Sequence, residues 1–159
     1  MDIDLIGEFA MNAIDLSKYI INKCNDDNCP ITNLKLSKML YYIYGWYYAK
    51  FNKRLFKECF AAWKLGPVVT DVYFEYSEKI AEPLFAEEIE LELSANEEFE
   101  LNKMINILKN KTTWDLIKAS RKTSAYIETY YSKPHAIISD RKIRMFFYEK
   151  LKNDKDYVI

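Results

Sequence analysis

Two stretches decide how this chain folds: LKLSKMLYYIYGWYYA at residues 34–49 and AWKLGPVVTDVY at residues 62–73. The chain holds only three glycines and four prolines. Two of those glycines and one proline fall between Leu34 and Tyr76. Backbone punctuation this scarce is expected where geometry demands it. In the first stretch Leu36, Leu40, Ile43 and Tyr47 define one helical face, while Tyr41, Tyr44 and Tyr48 cover the other side around Gly45. A helix apolar nearly all round is a buried helix. Thr32 supplies an N-cap hydroxyl, so the spacing predicts a central buried helix over about 33–51. Gly45 costs roughly 1 kcal/mol of helix propensity relative to Ala. The expected compensation is close approach of another backbone or a ring.

Working outward, Phe9, Ala13, Leu16, Ile20 and Cys24 form one helical stripe, closed by the turn-rich run Asn25 to Pro30. Beyond the central helix a short strand is expected near Phe60 to Lys64. Gly66-Pro67 forces a turn or extended corner, and Pro67 suits the first turn of a helix over about 68–78. Ile89 to Leu93 alternates as a half-exposed strand and is expected to pair with residues 60–64 as a small hairpin-like sheet. Helices follow over 96–109, from Thr112 or Thr113 to Ala119, and from Asp140 to Lys152 with Ser139 as cap. Residues 153–159 are expected to fray. The fold class is therefore mainly α: a compact multi-helix single domain over residues 1–159 around the central helix.

At 159 residues, 50% hydrophobic and net charge −1, the chain has enough apolar content for a core and no bulk charge suited to nucleic acid. Thirteen tyrosines carry most of the aromatic surplus, and Tyr serves both cores and contact surfaces. Charge is uneven. Residues 80–102 contain eight glutamates and no Lys or Arg, whereas thirteen basic residues face six acidic ones from Lys103 onward. Opposite solvated faces explain this, and charge-steered protein contact is the functional alternative. The last helix carries Arg141, Lys142, Arg144, Lys150 and Lys152. That pattern is explained first by a core-facing stripe with a basic outer face, and nucleic-acid contact is not expected. No signal peptide or membrane span is expected, and cysteine usage fits a reducing cytoplasm.

Catalytic groupings are missing from the sequence. His135 stands alone beside Pro134, so neither a general base nor a Cys–His pair has its orienting partner. Cys24, Cys29 and Cys59 have no second ligand pair for zinc. Three glycines cannot build a phosphate loop. No catalytic residue, metal ligand or cofactor site is assigned, and the sequence points to binding.

The order of Leu36, Lys38, Met39, Leu40 and Tyr41, then Gly45, Trp46 and Ala49, then Ala62, Trp63, Gly66, Pro67, Val68, Val72 and Tyr73 resembles the Panacea domain family, which includes the SocA-like antitoxins. Asn12-Ala13, Tyr19-Ile20 and Ile31-Thr32 extend the likeness toward the amino terminus. The resemblance implies a stand-alone, mainly helical domain, associated with phages and toxin loci, whose partner is a toxin protein bound directly; one branch presents its toxin to a protease. The family's Thr-His pair and following Pro-Trp are matched only by Ser120-Arg121 and Ala125-Tyr126. The divergent segment, with Ser120, Arg121, Tyr126, Tyr130 and Tyr131, is therefore where this protein's partner contact is expected. Trp63, Gly66, Pro67 and Tyr73 are read first as a buried corner locking a strand-to-helix turn, with partner contact as the alternative. Two competing functions remain: a mobile-element inhibitor of a host defence protein, and a small hydrolase or nuclease resting on His135 and the cysteines.

Overall fold

The computed structural model describes residues 11–159. Asn12 accepts the Asp15 N–H at 2.8 Å and opens helix α1, Ala13–Asp26. Its Ala13, Leu16, Ile20 and Cys24 are buried, as the stripe requires; the stripe's first member, Phe9, lies outside the described residues. Thr32 then caps α2, Asn33–Phe51, by accepting the Lys35 N–H. Every residue from Leu36 to Tyr47 is buried, and Asn52 ends the helix in the left-handed region at φ 54°. The central helix therefore has the bounds and the burial that its cap and its all-round apolarity demand.

The sheet differs from expectation. Strands β1 (Phe60–Trp63), β2 (Gly66–Val68) and β3 (Ile137–Ile138) form an antiparallel sheet in the order β2-β1-β3. Residues 89–93 form no strand and do not pair with β1. Ile89, Leu91 and Leu93 are half-buried against the core, while Glu90 and Glu92 are exposed. A period of two reports an extended chain covered on one side, and here the hydrophobic core covers it rather than a neighbouring strand. Pro67 is the second correction. It pairs with Ala62 in β2 rather than starting a helix, and an edge strand tolerates a residue without an N–H. Helix α3 follows at Thr70–Glu75, with a 3₁₀ turn at Ser77–Lys79.

Ser94 and Glu97 form a reciprocal capping box at the start of α4, Ala95–Lys109. Thr112 caps α5, Thr113–Ser120, and Ser139 caps α7, Asp140–Asn153. Between them lies α6, Ser124–Ser132, which the sequence pattern did not announce. Residues 157–159 are half-buried against the core instead of frayed, with the Tyr157 ring 6.4 Å from that of Phe147. Helix α7 lies against α2 where Gly45 sits: a Cβ at Gly45 would fall inside the Phe147 ring. That ring is the close approach that the glycine's propensity cost compensates.

Candidate functional site

Trp63 pairs with Gly66, so Lys64 and Leu65 form a two-residue turn between β1 and β2. Gly66 has φ +111°, a region that side-chain-bearing residues rarely adopt. A Cβ there would also stand 2.7 Å from Ser120 Oγ and 3.0 Å from Lys38 Cε. The glycine is thus required twice, once by the turn and once by what packs beneath it. Tyr126 donates its hydroxyl to Trp63 O at 2.6 Å, fixing the hairpin from the side of α6. The motif corner and the divergent segment, far apart in sequence, meet in one place.

Lys38 is fully buried below this corner and donates to Pro67 O at 3.0 Å. No carboxylate of the described residues pairs with it, and burial pushes its amine down to about 7. Lysine is almost never this buried without a partner of opposite charge. Beside it opens a cleft of about 340 Å³, walled by Leu34, Trp63, Val68 and Tyr73 and bordered by Lys64, Ile80 and His135. The Trp63 ring lies 5.0 Å from Tyr73, 5.9 Å from His135 and 6.4 Å from Phe74. Around the cleft, Leu65 is 43%, Phe74 64% and Ile80 49% exposed. An apolar patch with aromatic anchors at the edge of a cleft is the chemistry of a contact surface.

The remaining predicted residues divide sharply. Leu36, Leu40, Tyr41 and Trp46 are core, with Tyr41 and Thr123 hydroxyls sharing a 2.7 Å hydrogen bond. Pro67 and Val68 are buried in β2, and Tyr73 is half-buried. Ser120 and Tyr126 are buried, against the expectation of partner-facing side chains: Tyr126 holds the hairpin, and Ser120 packs beneath Gly66 with its hydroxyl on Ile117 O. Tyr130 stacks on Tyr126 at 5.3 Å, Arg121 is half-buried, and Tyr131 is 74% exposed. Leu65, Phe74 and Ile80 went unnoticed in the sequence. The available signal was a leucine in a turn position that ordinarily takes Gly, Asn or Asp.

His135 is exposed in the left-handed region at φ 69°, and its backbone N–H donates to Ala62 O at 2.8 Å. Burial pushes the Cys24 thiol up to about 11, away from reactivity. Among the described residues no group of three or more His, Cys, Asp and Glu side chains is placed to hold a metal ion. The described helices include none long and apolar enough to cross a membrane. Several of the clustered glutamates are tied within the fold, by Lys18–Glu87 at 2.5 Å, Lys50–Glu100 at 2.8 Å and Lys53–Glu97 at 3.1 Å. The basic helix α7 buries Ile143 and Phe147 and turns Arg141 and Lys142 outward.

Against known proteins, residues 36–126 match the family described as "Antitoxin SocA-like, Panacea domain". The antitoxin SocA of Caulobacter vibrioides (strain NA1000 / CB15N) is 33% identical over 64 residues. That match covers 40% of this chain but only 34% of the relative's length. No solved structure matches.

Proposed function

The chain belongs to the SocA-like Panacea-domain family, and on that premise we propose that it is an antitoxin that neutralises a toxin protein by direct binding, without catalysis of its own. The observation that carries this reading is the exposed apolar corner of Leu65, Phe74 and Ile80 around the Trp63–Tyr73 cleft. Aromatic and aliphatic anchors beside a pocket supply most of the energy at protein interfaces. Arg121, Tyr130 and Tyr131 on the adjoining α5–α6 segment extend the contact surface in this reading. Tyr131 is its exposed aromatic anchor.

The test is co-expression with the product of the neighbouring gene, read as colony growth and co-purification. Wild-type protein restores growth and retains the toxin. Leu65→Asp combined with Phe74→Asp abolishes both while the melting temperature is unchanged, because neither side chain is in the core. Growth arrest by the toxin despite soluble wild-type protein would sink the antitoxin reading. Toxin that disappears only in cells with an intact energy-dependent protease would assign the adaptor mode of neutralisation.

A further inference from the structure

Beneath the apolar corner, the lining of the cleft has a charge bias that its walls do not explain. Its basic members are Lys38, Lys64 and His135, and none of its lining residues is Asp or Glu. Lys38 is the decisive one. Its ammonium has three donors, and among the described residues the one hydrogen bond it makes goes to Pro67 O, a neutral carbonyl. A buried ammonium without a carboxylate is costly, and an anion brought from outside would offset that cost. Apart from Ser37, whose hydroxyl donates to Asn33 O, the rest of the lining is aliphatic or aromatic, so the complementary ligand has an apolar body joined to an anionic end. A volume of about 340 Å³ is at the small end of ligand sites, room for one or two side chains rather than a helix.

We infer that the cleft receives the carboxyl-terminal residue of a partner polypeptide, an apolar side chain lying against the Trp63 and Tyr73 rings with its α-carboxylate engaging Lys38. A chain terminus fits better than a free acid because the apolar surface continues past the cleft. Leu65 and Ile80 at its border and Phe74 against Trp63 and Tyr73 would stay bare around a small acid, whereas the residues preceding a terminus cover them. Lys64, exposed on the hairpin turn, supplies a second positive charge at the rim. The inference rests on the protein-binding reading above and names the part of the partner that enters.

The probes are N-acetyl-leucine, its primary amide N-acetyl-leucinamide, and a short apolar peptide ending in leucine with a free carboxylate, each titrated into the full chain by NMR. The acid shifts the signals of Trp63, Tyr73 and the Lys38 side chain, and binds at least about tenfold tighter than the amide. The peptide binds tighter than the acid by a further factor of about ten or more. Lys38→Met removes the preference for acid over amide. Phe74→Ser, outside the cleft lining and exposed, weakens the peptide and leaves N-acetyl-leucine unchanged, and it guards against a Lys38 variant that misfolds. Equal binding of acid and amide, or no binding of either, overturns the inference. Equal affinity of acid and peptide assigns the cleft to a free small acid and overturns the polypeptide terminus. None of these measurements uses the toxin, so a protein that neutralises its toxin yet ignores the carboxylate refutes this inference alone.

Discussion

The two halves of α2 treat their polar atoms in opposite ways. Toward the carboxyl end, the hydroxyl of Tyr44 donates to Asp140 at 2.9 Å, that of Tyr47 bonds Glu97, and Arg54 completes the Asp140 carboxylate at 3.0 Å. Tyr41, Phe60 and Phe147 pack edge to face around them. Burial would raise the Glu97 carboxyl, but hydrogen bonds from Tyr47, Ser94 and Lys53 outweigh it and hold it at about 2. Toward the amino end, Lys38 has only a neutral carbonyl, and an open apolar cleft lies beside it. One half spends its chemistry on closing the core, the other leaves a charge unanswered. The comparison separates scaffold from site within a single helix, and the two glycines follow the same division. Gly45 admits a ring, and Gly66 admits a turn above the lysine.

The largest way to break the closed half is Phe147→Ala, which empties the space over Gly45 and should cost about 3–5 kcal/mol in urea denaturation. A loss below about 1 kcal/mol would mean that α7 does not pack there as described. At the open half, Gly66→Val forces a β-branched residue to positive φ and against Ser120 and Lys38, and about 2–4 kcal/mol should be lost. An unchanged melting temperature would refute the corner geometry.

Lys38→Met sharpens the contrast through pH. The folded-state amine is lowered from 10.5 to about 7, so between those values the unfolded chain binds more protons and stability rises with pH. Below about 7 both states are charged, and the burial penalty is felt in full. The wild type is therefore more stable at pH 9 than at pH 6, by more than ~1 kcal/mol, and the methionine variant loses that slope. A wild-type stability that falls from pH 6 to pH 9 would contradict an amine held low by burial. Tyr41→Phe, removing one shared hydroxyl bond in the closed half, should cost about 1 kcal/mol. The smallest effect is Leu65→Asp, expected within about 0.5 kcal/mol of wild type in the same denaturation.

Much of α2 was legible because its information is local. Thr32 is a cap, the apolar residues surround the whole helix, and Gly45 advertises a close approach. The capping box of Ser94 and Glu97 is equally local, yet the apolar spacing points to a start at Asn96, one residue late. Helix α6 was not legible, since its Thr, Ile and Tyr residues are weak helix formers. It forms because Ala125 and Tyr126 bury against β1 and the Tyr126 hydroxyl finds the Trp63 carbonyl. The same distance in sequence explains the misplaced contact residues. The divergence of Ser120 and Tyr126 points to a partner-facing role, but their burial depends on the hairpin that packs over them.

By itself the sequence determined the central helix, the glycine-dependent corner and the alternation of residues 89–93, because caps, propensities and burial periods act over a few residues. The tertiary structure alone decided that Ile137–Ile138 rather than residues 89–93 completes the sheet, and that Phe147 fills the space at Gly45. It alone set Lys38 and Ser120 under Gly66, leaving an amine beside an apolar cleft. Those outcomes depend on which distant surfaces meet, and a pattern of exposure along one segment states that it is covered without stating by what.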